Sequence, residues 1–568
     1  MPVTDDQRAH AASSPSAAVP ADTASYDQVS GNGETASDEP SRRRRKRVPR
    51  MVWWIVALHV TVLGAYSIML PTYRAPDEPL HVDLAHHWST DFDYPAWDSR
   101  DTSDGVINSL FLVRFPGRSA HLTADEATPK DERPSYEDLD ETPSVGGVNQ
   151  LPQHPPLYYA IAGTAERATE IVIGDPDFQL ETWFYRLVSI AMVAPLPFVI
   201  WKASRLIGFP DPVAAAAMLL PLAIPQYLHI GASVNNDNLQ FLTTWLMTPI
   251  VLRVARGDLT RRTMVGAGVV TGIGLFAKAF TFVIPAWMGC ALVLILLRLG
   301  RAALPRVVRA GLVYSVPTML LGGWWWVRNV VLYGSLMPTR YFDLVDPVPR
   351  GELDLVDYLH TWITGTIRRF WGDFGYFDTR ISSTAVTIAT TVAIVALVVA
   401  LIGRDRIAGT KFGDRLLLLA PLVLLMAMQL QTALGTYLDI GQYAALQGRY
   451  WFGALAALAV LLALGIAKLL GSFQRWLPVG VLAAVAVMQG LAVSAIFGFY
   501  WGAPGAAFPA RLRAMVAWAP VPGEVIALAA GIGAIVWAAA VFEVWRLVVR
   551  SRADATAARP LGPTAASV

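Results

Sequence analysis

Two adjacent carboxylates, Asp77 and Glu78, follow directly on the first strongly apolar run of this 568-residue chain, in the stretch RAPDEPLHVDLAHHW (74–88). An acid pair in that position can serve as a general base with an orienting carboxylate, can share a metal ion, or can simply begin a solvated loop. Pro76 and Pro79 bracket the pair and restrict its backbone. Leu80, Leu84 and Trp88 then recur at helical spacing. That pattern predicts a short helix lying on a membrane surface, with the carboxylates at its start near a lipid headgroup. His81, His86 and His87 lack the spacing of a metal site and read as surface histidines at the interface.

Further polar groups gather at the ends of other apolar runs. QHPPLYYAIAG (153–163) carries His154 and Tyr158, and its paired tyrosines either anchor at the interface or position a substrate. ASVNNDNLQF (232–241) offers Asn235, Asn236 and Asp237, good helix-capping residues but more of them than a cap needs. Arg328, in GGWWWVRNVVLYGSLMP, and Arg449, in ALQGRYWFGAL, lie near the ends of apolar runs. Such guanidinium groups either hold a phosphate bidentately or snorkel to headgroups. RRFWGDFGYFD (368–378) adds Arg368, Arg369 and Asp373. Lys278 stands between two apolar runs, either buried in a bundle or at a tight turn, and the turn agrees better with the loop charges.

The elements that must position these groups are membrane spans. The chain is 54% hydrophobic with 19 Trp and only 16% charged residues, its mean hydropathy is +0.41, and apolar runs of spanning length recur along it. Candidate spans lie near 52–71, 184–204, 212–230, 238–255, 263–279, 281–298, 308–329, 384–403, 416–434, 450–467, 477–499 and 524–545. The expected fold is therefore an all-α polytopic membrane protein of about 12 transmembrane helices, occupying 51–550. Residues 1–50 read as a disordered tail ending in RRRRKR, and 551–568 as a second tail.

Loop charges orient the spans. Basic clusters such as Arg253, Arg256, Arg261 and Arg262, or Arg404, Arg406, Lys411 and Arg415, all fall on the side of the 42–47 run. The rule that positive loops stay inside puts both termini in the cytoplasm. The other face carries a large loop at 72–183 and a second at 330–383; between Asp77 and Glu141 stand 16 acids against 5 Arg or Lys. That acidic face is expected to be extracytoplasmic, and long loops of this kind carry function. PPLYYAIAGTAERATEIVI (155–173) holds Glu166 and Arg167 mid-run and reads as an interfacial or re-entrant helix. The single Cys290 permits no intramolecular disulfide and reads as packing. The arginine run adjoins a span without interleaved aromatics, so no nucleic-acid partner is expected.

In order, APDEP, HPPLYY, NND, a lysine at an outer turn, WWWVRNVVLYG, FWGDFGY and QGRYWF resemble the bacterial membrane family known as domain of unknown function 2142, over about residues 52 to 500. That family is similar in architecture to the GT-C superfamily of polyprenyl-phosphate-sugar-dependent glycosyltransferases. The chain departs from the pattern in having Leu80, His81 and Val82 where an aromatic is expected after the acid pair, and in its acidic region 98–145.

The resemblance implies transfer of a sugar from a polyprenyl-phosphate donor to an envelope glycan, lipid or protein acceptor at the bacterial cytoplasmic membrane. Asp77 is then the expected base, with Glu78 orienting it, and Lys278, Arg328, Arg449, Arg368 and Arg369 are the expected partners of the donor phosphate. His154, Tyr158, Asn235, Asn236, Asp237 and Asp373 are expected to position the acceptor. No cofactor is required by that chemistry, although Asp77, Glu78 and Asp237 could hold a divalent cation, Mg or Mn. Transport or flipping of a lipid-linked glycan or small molecule is the alternative; it calls for ionisable groups at the bilayer midplane, whereas the spans here contain few.

Overall fold

The computed structural model describes residues 48–115, 121–144, 146–338, 354–403 and 411–557. The expected N-terminal tail with its arginine run, the heart of the second loop and the tail beyond 557 lie outside the described residues, and the fold is that of the unit Pro49–Val568. Helices dominate, and the only named strands among the described residues form a two-stranded hairpin, Asp373–Phe374 against Thr379–Arg380.

Seven helical segments among the described residues are long and apolar enough to cross a membrane, or eight counting one bent pair. The expected twelve uniform spans are not all realised as long rods, for local reasons. Pro221 and Pro225 break the 212–230 run, where the Asp211–Ala223 and Pro225–Gly231 helices meet at 73°. The Arg261–Leu275 helix has 15 residues, about 22 Å of rise and short of a hydrocarbon core of roughly 30 Å. Leu304–Thr318 continues through a π-helical turn, Met319–Gly323, into Trp324–Tyr333. A side chain on Gly322 would collide with the Gly272 carbonyl oxygen, so this break lets two helices touch backbone to backbone. Cys290 is exposed on its helix, so the expectation of packing is corrected: it sits on the outward side of that helix.

At the centre lie two helices of small and aliphatic residues, Asp211–Leu219 and Leu455–Leu470, buried along nearly their whole length. Indole donors satisfy carbonyls of neighbouring helices: Trp245 Nε1 donates to the Phe452 carbonyl at 2.8 Å and Trp287 Nε1 to that of Leu417, four residues before Pro421, at 2.7 Å.

The first loop folds onto the spans through a shared core, in which Tyr73, Val82, Tyr136, Tyr158 and Tyr159 of the loop pack with Tyr185, Val234 and Leu239 of the helices. The predicted helix forms over Glu78–Asp91. It does not lie loose on a surface. Leu157–Ile173 crosses it so closely that a Cβ on Gly163 would sit 2.5 Å from the Ala85 carbonyl oxygen. Its histidines are therefore not surface residues: His81 is buried with Nδ1 2.9 Å from the Tyr159 hydroxyl, His86 pairs with Glu181 at 2.9 Å, and His87 lies between Asp91 and Asp93. Asp83 is fully buried but saturated, accepting two bonds from Arg100, one from the Ser103 amide and one from Asn149.

The described residues of the acidic region 98–145 form a brace. Lys130 donates to the carbonyls of Val516, Ala517 and Ala519, and Arg133 to those of Ala517 and Ala519. Five donated bonds thus satisfy the carbonyl end of the Phe508–Trp518 helix. Leu122 bridges to Trp501, and Trp518 Nε1 returns a bond to the Thr123 carbonyl.

Candidate active site

Four of the expected residues, taken from four distant parts of the sequence, form one chain of alternating charge. Arg449 Nη2 donates to Asp77 Oδ2 at 2.7 Å, and its Nε lies 3.5 Å from Asp237 Oδ2. Lys278 Nζ then sits 2.6 Å from Asp237 Oδ1 and donates to Asn236 Oδ1 at 3.0 Å. Side-chain exposure is 4% for Arg449, 2% for Asp237 and 7% for Lys278, but 42% for Asp77. The chain opens to the outside at Asp77. A run of ions this deeply buried is tolerated only because each charge faces its opposite.

Local structure explains each position. Asp77 precedes the Glu78–Asp91 helix at φ 64°, a left-handed conformation that costs energy for a residue with a Cβ. Two contacts hold it there: its amide donates to the Tyr376 hydroxyl at 3.0 Å, and Arg449 Nη1 donates to the Pro76 carbonyl at 3.2 Å. Tyr376 stands at the tip of the 373–380 hairpin, so the second loop pins the corner of the first. Asp237 begins the Asp237–Ala255 helix, where its amide donates to Asn235 Oδ1 at 2.8 Å. Asn238 Nδ2 closes the preceding turn on the Ile230 and Ser233 carbonyls. Lys278 is at a turn, as expected, and also buried. Tyr450, beside Arg449, stacks on Phe280 with centroids 4.6 Å apart.

Glu78 plays another part. It is fully buried, and Arg186 clasps both its oxygens at 2.8 Å while the Val234 amide donates to Oε1 at 3.1 Å. Glu78 thus holds the first helix turn and shows no direct bond to Asp77, the residue it was expected to orient. Sequence reasoning missed Arg186, whose one available signal was an arginine within an otherwise apolar run.

Tyr158 accepts the Asn235 amide at 2.9 Å and shares a hydrogen bond with Ser189 at 2.7 Å, so it buttresses the asparagine turn from below. His154 is buried with its Nδ1 unpartnered; burial, then the nearby Lys278 charge, hold its imidazole far below its usual range, at about 3, and keep it neutral. Asp373 is buried, with Arg368 Nε 3.0 Å and Arg369 Nε 3.7 Å away. Arg328 stands apart from the cluster, over the rings of Trp325 and Tyr333 at 4.6 and 5.7 Å.

The carboxylates expected to hold a divalent cation do not compose a donor set for one. Asp77 and Asp237 face Arg449 and Lys278, and Glu78 is committed to Arg186. No three His, Cys, Asp or Glu side chains converge as metal ligands among the described residues.

A multi-pass helical membrane protein, with a charged corner built between two loops and the ends of its spans, is thus the class that fold and site define. The chain belongs to the family described as "Predicted membrane protein (DUF2142)", which it matches over residues 60–461. Comparison with curated proteins found no match. Among solved structures, the chain is similar to ArnT from Cupriavidus metallidurans in the apo state, at 14% identity and a TM-score of 0.45, covering 78% of this chain and 76% of that one. It is similar to the same protein bound to undecaprenyl phosphate, at 13% identity and 0.42, covering 82% and 76%. The Archaeoglobus fulgidus oligosaccharyltransferase in complex with Zn and sulfate aligns at 12% identity and 0.39, covering 79% of this chain and 54% of that one.

Proposed function

We propose that this chain is a membrane glycosyltransferase that moves a sugar from a polyprenyl-phosphate donor to an acceptor of the cell envelope, with Asp77 as general base. The supporting observation is the single open carboxylate at the end of a buried, charge-balanced chain. Asp77 Oδ2 is held by Arg449, and Oδ1 has no hydrogen-bond partner among the described residues. The acceptor hydroxyl gives its proton to Oδ1 as its oxygen attacks the anomeric carbon. The bond from that carbon to the phosphate oxygen breaks, and polyprenyl phosphate leaves as the anion. Arg449 fixes the base, Asp237 and Lys278 fix Arg449, and Tyr376 fixes the backbone beneath it. His154 and the unpartnered side-chain amides of Asn235 and Asn236 are the buried groups left to receive sugar hydroxyls. The loops face the outside of the bacterial cytoplasmic membrane in this reading, with both termini inside.

Asp77→Asn keeps the shape and removes the base. Membranes supplied with radiolabelled polyprenyl-phosphate hexoses and pentoses should show transfer reduced by about 10²–10⁴-fold. Undiminished transfer by the Asn form refutes the assignment. Accumulation of label in sealed vesicles, without covalent product, would instead establish transport.

A further inference from the structure

The Asp237–Ala255 helix runs from the charged corner to Arg256, and at that far end the basic residues fall into two groups. Several find partners within the protein: Arg205 pairs with Asp211 at 2.7 Å, and Asp414 faces both Arg298 at 3.1 Å and Arg256 at 3.6 Å. Arg261, Arg306 and Arg309 do not, and none of them has an ion-pair or hydrogen-bond partner among the described residues. All three nevertheless line one cavity of about 200 Å³, together with Leu259, Ala310 and Val313. A second cavity of about 300 Å³ shares Leu259 and Arg306 with it, and no acidic residue lines either one.

This placement works against the protein taken alone. Arg261 begins the Arg261–Leu275 helix, and Arg306 and Arg309 lie in the first two turns of Leu304–Thr318. The two helices start side by side and pack so tightly that a Cβ on Gly268 would collide with the Tyr314 carbonyl oxygen. Helix N-termini carry partial positive charge and disfavour cations. Three unpaired guanidinium groups therefore share one cavity at the positive ends of two helices, with no carboxylate to offset them. The rule that keeps basic loops on one side of a membrane asks only for charge, and Arg262 and Arg301, which line neither cavity, meet it as well. Convergence of three unpaired cations in one cavity calls for an anion.

We infer that this cavity seats the phosphate of an anionic bilayer phospholipid, in the leaflet away from the corner. Leu304, Val308, Leu312 and Val316 form an exposed apolar stripe at helical spacing along the helix that carries Arg306 and Arg309. The stripe is about 18 Å long, close to one leaflet of a hydrocarbon core of roughly 30 Å. It suits the acyl chain of a bilayer lipid, which a soluble anion lacks. Guanidinium groups hold phosphate oxygens by paired, charge-assisted hydrogen bonds, and a phosphate held this way clasps the starts of two helices together. The whole Arg261–Leu275 helix, about 22 Å of rise, separates Arg261 from the turn that carries Lys278. The cavity is thus apart from the candidate active site, and the inference stands independently of the glycosyltransferase reading.

The test is lipid binding. Delipidated full-length protein in a non-ionic detergent is titrated with phosphatidylglycerol, with phosphatidylcholine and with inorganic phosphate, and bound lipid is counted by native mass spectrometry. Wild type should hold phosphatidylglycerol about tenfold or more tighter than phosphatidylcholine. Arg306→Gln combined with Arg309→Gln should weaken that binding by about tenfold or more, since two charge-assisted contacts are lost, and lysine at both positions should recover part of it. Arg262→Gln combined with Arg301→Gln removes the same charge from the same face and should leave binding unchanged. All four residues are exposed. Without lipid, the Arg306→Gln, Arg309→Gln protein should melt no lower than wild type, because two cations leave the positive end of a helix. Equal affinity for the two lipids, undiminished binding by that variant, its lower melting, or an equal loss in the Arg262, Arg301 control each overturns the inference. Displacement of phosphatidylglycerol by an equal concentration of inorganic phosphate would overturn a lipid as the occupant.

Discussion

Arg449 and Asp77 are 372 residues apart in the chain and 2.7 Å apart in space. The guanidinium is buried and the carboxylate half-open, so the pair joins a fixed partner to one that solvent can reach. Lysine cannot reproduce the fork by which Arg449 reaches Asp77, the Pro76 carbonyl and the neighbourhood of Asp237 together. Arg449→Lys should lower kcat of sugar transfer by about 10–100-fold. Combining it with Asp77→Asn should cost little more than Asp77→Asn alone, because the two act as a unit. Additive losses in the labelled-sugar assay would show that they work separately.

The two neighbouring acids should part company in stability measurements. Glu78→Gln leaves the buried Arg186 guanidinium without its carboxylate, and loss of one member of such a pair costs about 3–5 kcal/mol. Thermal unfolding of the detergent-solubilised protein should shift strongly downward. Asp77→Asn removes one of the two carboxylates facing buried Arg449 but leaves Asp237 3.5 Å from its Nε, so it should cost less than Glu78→Gln. Equal melting of the two variants would contradict this division of roles.

The body built by the first loop should weaken as pH rises. Burial, reinforced by Glu181 and Glu170, pushes Glu166 up to about 8, so folding favours its protonated form. Burial works against the charge of His86, but Glu181 overcomes it and raises the imidazole to about 9. For Glu166, stability is lost as pH climbs from its ordinary value near 4.5 towards 8. For His86, the stabilisation present below 6.5 is lost as pH climbs towards 9. Both signs agree, and the combined loss between about pH 6.5 and 9 should be on the order of 5 kcal/mol. Melting temperatures across that window test it, and Glu166→Gln should flatten the slope.

Arg133→Ala removes bonds to the carbonyls of Ala517, Ala519 and Thr128. A loss of about 1.5–3 kcal/mol is expected, read as faster proteolytic cleavage between residues 98 and 145. Unchanged cleavage would mean that Lys130 holds the brace alone.

Much was legible in the residues themselves. Apolar runs of spanning length, interrupted by charge, define a helical membrane protein because a backbone in lipid must satisfy its own hydrogen bonds. Asp77, Asn236, Asp237, Lys278 and Arg449 were each visible as polar groups at the ends of such runs. Hydropathy has no term for partners, however. Nothing local distinguishes Glu78 from Asp77, yet Arg186 buries one and the hairpin leaves the other open. The histidines of LHVDLAHHW read as interface residues, and only the crossing at Gly163 covered them. The bends within the helices also escaped the sequence, because Pro221, Pro225 and the π turn at Met319–Gly323 bend the chain while leaving its composition apolar. Sequence alone determined which residues are too polar for lipid. Tertiary structure decided which charges cancel and which stay free, because an ion's chemistry depends on neighbours that the chain brings together from hundreds of residues away.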